Sequence, residues 1–93
     1  MQTKVVVIGG AGRAGSIHVK NLLALGGDVA SFDVVDNTTV SKNYNAKEAL
    51  HTDVVADGYK VCIIALPENI IYAHTDIILD AGYERIMIEK PGA

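Results

Sequence analysis

The sequence predicts an α/β domain built around a parallel sheet with helices on both faces. Three observations predict it. Apolar runs recur without polar alternation, as in Val5-Val6-Val7-Ile8 and Val61-Cys62-Ile63-Ile64, which is the pattern of strands covered on both faces. Segments with helical spacing of apolar residues lie between these runs. A glycine cluster, Gly9-Gly10-Ala11-Gly12-Arg13-Ala14-Gly15, joins the first run to the first such segment.

Taken in order, Lys4–Ile8 reads as a buried central strand, β-branched and apolar. Residues 14–25 follow as a helix in which Ile17, Leu22 and Leu25 share one face, and Gly26-Gly27 stops it. Residues 29–35 are the second strand, and Asn37-Thr38-Thr39 is a polar turn. At 45–50 a short helix is predicted, because Asn45 and Glu48 have capping-box spacing; His51 then stands at its carboxyl end as a dipole partner or a surface residue. Asp57-Gly58 is a turn. Residues 61–66 are the third strand, ended by Pro67. Asn69 is placed to cap a helix in which Ile70, Ile71, Ala73, Ile77, Ile78 and Ala81 recur at helical spacing, with Gly82 closing it. Arg85–Ile88 is the last strand. Right-handed crossovers then give four parallel strands in the order 2-1-3-4.

Composition narrows the function. The chain has 93 residues, enough for one domain, with 49% hydrophobic and 20% charged residues. A net charge of −3 disfavours nucleic acid and anionic membrane surfaces as partners, since both call for basic surface. The single Cys62 sits in an apolar run and reads as a small core residue. Three scattered histidines and one cysteine offer no metal-ligand spacing. With no signal peptide and no apolar run approaching the ~20 residues of a membrane span, the chain reads as cytoplasmic.

The chemistry concentrates at the glycine cluster. Gly10, Gly12 and Gly15 fill the pattern G-x-G-x-x-G between a strand and a helix. Gly10 is expected to turn the chain off the strand, Gly12 to let a pyrophosphate approach the backbone, and Gly15 to let the helix lie close to the sheet. The first N–H groups of that helix, around Arg13 and Ala14, then face the phosphates. Arg13 either pairs with phosphate or is a solvated arginine. Asp36 is expected at the end of the second strand, as acceptor for the adenosine ribose hydroxyls; Asp33 is its competitor, placed inside the strand. A carboxylate there favours NAD over NADP. Ala65, Leu66 and Pro67 end the third strand beside the glycine turn, where open α/β sheets bind ligands. Glu89-Lys90-Pro91 ends the fourth at the same edge, and Lys90 is a candidate for proton transfer or for holding a substrate oxygen.

Together these residues resemble a known family. Gly10-x-Gly12-x-x-Gly15-x-x-His18, Asp36, Ala65-Leu66-Pro67-Glu68-Asn69, Ala81-Gly82 and Glu89-Lys90-Pro91 follow one another as in the N-terminal domain of the Gfo/Idh/MocA oxidoreductases. The resemblance covers residues 4–91, and Glu-Lys-Pro is its most specific part. It implies a Rossmann-like domain that binds NAD(P), with Lys90 helping to hold and polarise a substrate. His18 matches a family histidine and is expected to pack, partly buried, on the sheet. Three departures stand out. Ile71 stands where the family has a histidine, and His74, one turn on, reads as a surface residue. The stretch 36–45 is short for a parallel crossover, so the strand the family has there is expected to be absent and the adenine side more open. The family's substrate domain is not represented in the sequence.

The implied function is the NAD(P)-binding part of an oxidoreductase that transfers a hydride between a nicotinamide cofactor and a sugar, cyclitol or related polyol. The isolated chain is expected to be inactive without the domain that positions substrate. The alternative is a stand-alone nucleotide-binding or regulatory module without catalysis. Exposed sheet edges at strands two and four also predict a tendency to form a homodimer.

Overall fold

A computed structural model describes residues 3–89. It contains β1 (Lys4–Ile8), α1 (Arg13–Ala24), β2 (Asp28–Asp33), β3 (Lys42–Asn45), α2 (His51–Ala56), β4 (Val61–Ile64), α3 (Glu68–Asp80) and β5 (Arg85–Ile88). All five strands are parallel, in the order β3-β2-β1-β4-β5. This is the α/β, Rossmann-like arrangement that the sequence predicts.

The sheet is buried on both sides, which explains the unbroken apolar run of β1. Val6 and Ile8 pack with Val54 of α2 and Ile71 and Ile78 of α3 on one face. Val7 packs with Val19 of α1 and Val40 on the other. Cys62 is fully buried beside Val6, and burial pushes its thiol up to about 12.

The strand count is a correction. Four strands keep the expected relative order, and Lys42–Asn45 adds a fifth outside β2, where no strand was expected. Residues 34–41 reach it without a helix, because their path is set by side-chain hydrogen bonds around Asn37 and by burial of Val40. Only Tyr44 of this strand is buried, paired opposite Phe32, so its sequence KNYN carries no strand signature. The expected helix at 45–50 is also corrected. Asn45 ends β3, its Oδ1 accepts the Lys47 N–H at 2.9 Å, and its carbonyl accepts the N–H groups of Glu48 and Ala49. That is an asparagine-led turn, in which the side chain stands in for a backbone acceptor. The helix begins later, at His51.

Helix α1 buries Gly15 and Val19 and packs Leu22 against the sheet. Ile17 and Leu25 are exposed, so the expected apolar face is rotated. The stop is as expected: Gly26 has φ +82°, and the N–H groups of Gly26 and Gly27 donate to the carbonyls of Leu23 and Leu22. Gly82, with φ +100°, closes α3. Strands β2 and β4 end earlier than expected, at Asp33 and Ile64. Pro67 takes the N-cap position of α3; the Asn69 side chain expected there lies outside what is described.

Candidate functional site

The carboxyl ends of β1 and β4 meet at the middle of the sheet. The Ala65 N–H donates to the Ile8 carbonyl at 2.9 Å, continuing the ladder one residue past β4. From here the chain leaves β1 toward β2 and leaves β4 toward β5. Such a divergence opens a crevice over the strand ends.

The glycine turn lies in that crevice, and its glycines divide the work differently from expectation. The tight turn belongs to Gly9, which has φ +86° and where a Cβ would lie 2.8 Å from the Ala65 carbonyl oxygen. Gly10 is a steric requirement instead: a Cβ there would lie 2.3 Å from Ser31 Oγ, a fully buried hydroxyl. Gly15 behaves as expected, since a Cβ would lie 1.9 Å from the Gly9 carbonyl oxygen and force α1 off the sheet. Gly12 differs from all three. Its φ is −75°, and a Cβ would meet only the Gly9 carbonyl oxygen, at 3.4 Å. Neither backbone conformation nor packing calls for glycine at position 12.

Gly12 is also the N-cap of α1, with no side-chain cap. Its own N–H donates to Gly9, and the Ser16 N–H returns to the Gly12 carbonyl. The N–H groups of Arg13, Ala14 and Gly15 find no backbone acceptor among the described residues. Arg13 and Ala14 are exposed, and no acidic side chain occupies the first turn. At Arg13 and Ala14 these donors form an open, positively polarised patch, with Gly15 buried behind it.

The acidic residue at the end of β2 is Asp33, not Asp36. Its Oδ2 accepts the Ala11 N–H at 3.0 Å, across 22 residues of sequence. Asp36 lies beyond the strand, exposed, in a shallow depression of about 330 Å³ on the α1 side with Ser16, Lys20 and Thr38. Asp33 instead borders a larger, mostly apolar cavity of about 370 Å³ between the strand ends and α3, lined by Phe32, Val34, His51, Leu66, Ile70 and His74. Leu66 thus faces the site, while Ala65 anchors the turn and Pro67 directs α3.

His51 was expected at a helix end near the surface. It opens α2, is buried, stacks on Phe32 with ring centroids 4.1 Å apart, and its Nδ1 lies 2.8 Å from the Tyr83 hydroxyl. Burial, reinforced by nearby His74, lowers its pKa. His74 is exposed but borders the same cavity. No local motif announces the His51–Tyr83 pair, because its members lie far apart in sequence and on separate segments of the fold. At the other end of the crevice, Glu89 follows β5, and its Oε2 lies 3.4 Å from His18 Nε2. His18 is half-buried, as expected, and has this charged neighbour as well. Lys90 lies outside the described residues.

Among the described residues, no helix is long and apolar enough to cross a membrane. The chain matches no protein-family model, and a search of curated proteins finds no significant relative.

Proposed function

We propose that this chain is the NAD(P)-binding domain of an oxidoreductase. The observation that carries the proposal is Gly12. It is a glycine that folding does not require, set at a helix N-terminus with unused donors, where a side chain would fill the space a phosphate needs. The residues present fit the group. Arg13, Ala14 and Gly15 N–H groups bind the pyrophosphate, Asp33 accepts the adenosine ribose hydroxyls, and the apolar cavity beside Leu66 and Ile70 receives the adenine. Asp33 takes the role expected of Asp36 because it ends β2 and adjoins that cavity. Its negative charge favours NAD over NADP. The nicotinamide ring supplies a hydride acceptor and donor.

The resemblance extends the proposal to a sugar, cyclitol or related polyol substrate, with Lys90 holding its oxygen and Glu89 beside it. A cytoplasmic setting belongs to the same reading. Calorimetric titration with NAD and NADP tests the proposal. Binding of NAD, abolished in Gly12→Val with the fold intact, is the expected result. Equal NAD binding by the parent and Gly12→Val would remove its basis.

A further inference from the structure

Two side chains grip a single peptide unit of the glycine turn from opposite ends. Asn37 Nδ2 donates to the Gly10 carbonyl oxygen at 2.8 Å. The Ala11 N–H, across the same peptide bond, donates to Asp33 Oδ2 at 3.0 Å. A peptide unit is planar, so fixing its oxygen and its hydrogen fixes its orientation. Asn37 is itself held firmly and is only 8% exposed. Its N–H donates to Asn43 Oδ1 at 2.9 Å, and its carbonyl accepts from Asn43 Nδ2 at 3.1 Å. Its side-chain Oδ1 accepts from the Thr39 N–H and from Thr39 Oγ1. The position uses both halves of a carboxamide: the oxygen serves Thr39, and the nitrogen serves Gly10. An aspartate has no donor for Gly10, and alanine has neither group.

We propose that Asn37 is a positioning residue of the phosphate-binding turn, locking the Gly10–Ala11 peptide so that Arg13, Ala14 and Gly15 remain the donors offered to a pyrophosphate. The inference rests on the dinucleotide reading above. It gives the helix-free segment 34–41 a role. That segment carries Asn37 from the end of β2 to the start of β3, where Asn43 clamps it. The grip on the turn therefore depends on the additional strand β3.

The test compares NAD with adenosine, which carries no pyrophosphate. In Asn37→Asp the Thr39 contacts are kept, while an acceptor is set against the Gly10 carbonyl. NAD affinity is expected to fall about tenfold, the effect of one buried hydrogen bond. Adenosine affinity, read by chemical-shift titration, is expected to stay unchanged, and exchange of the Ala11 amide is expected to speed up. Equal losses for both ligands would reduce Asn37 to a structural role, and no loss for either would overturn the inference, while the dinucleotide reading survived both results. A parent chain that bound neither ligand would overturn the dinucleotide reading and this inference with it. Should Asn37→Asp fail to fold, Thr39→Val loosens the same amide without touching the turn, and the same split between NAD and adenosine, at a smaller factor, is required of it.

Discussion

At the scale of single residues, the site turns on which groups are already committed and which are open. Asp33 and Asp36 are three positions apart, but only Asp33 touches the glycine turn and borders the apolar cavity. Asp33→Ser is therefore expected to weaken NAD by about 10- to 150-fold, the loss of ~1.5–3 kcal/mol for hydrogen bonds to a charged acceptor. Asp36→Ser is expected to leave NAD affinity unchanged. Calorimetry on the two variants checks this, and the reverse ranking would return the ribose to Asp36. The sequence places the acidic residue at the end of β2 at Asp36, whereas the strand ends at Asp33, because Val34-Val35 looks like strand. The ladder stops at Asp33, whose Oδ1 turns back onto the Val34 N–H and whose carbonyl accepts from Ala46. Such side-chain competition for the backbone ends strands without an apolar signal.

At the scale of elements, apolar runs were legible and side-chain-led segments were not. β1, β4 and β5 declare themselves through consecutive Val, Ile, Cys and Met. β3 has one buried aromatic, Tyr44, held by a 2.6 Å hydrogen bond from its hydroxyl to Asp57 at the end of α2. A tertiary contact of that kind leaves no local period to read. α2 begins later than the sequence suggests because Asn45 leads a turn with the same residue spacing as a capping box. α2 is docked through His51, whose neutral ring is stacked on Phe32 beside the Tyr83 hydroxyl. Its folded pKa is lowered from 6.5, so the folded state favours the neutral ring. The stabilisation is complete above the unfolded pKa and is lost as pH falls below it. The thermal midpoint is expected to drop between about pH 7 and about pH 5, and to drop less in His51→Phe, which keeps the stack but cannot take a proton. Parallel curves for parent and variant would show that His51 does not couple α2 to pH.

At the scale of the whole molecule, the parallel sheet has two open edges, β3 and β5. The first departs from expectation, since β3 rather than β2 is outermost, and it carries polar residues. The second is apolar: Met87 is 52% and Ile88 56% exposed, and among the described residues nothing pairs beyond β5. An uncovered apolar edge is a template for another chain. We propose that the chain self-associates through β5, with a symmetric dimer as the expected form. Light scattering over a concentration series checks this, with a rising mass in the parent and a monomer in Ile88→Lys. A monomer throughout would exclude it.

The dinucleotide proposal seats the pyrophosphate at the open helix N-terminus behind Gly12. Amide chemical-shift mapping during a titration with NAD tests it most directly, because it reports both whether the ligand binds and where. The largest shifts are expected at Gly12, Arg13, Ala14 and Gly15, with a second group at Asp33, Val34 and Leu66 around the cavity, and all of them absent in a folded Gly12→Val. A titration that shifts none of these amides, or shifts them equally in Gly12→Val, would contradict it.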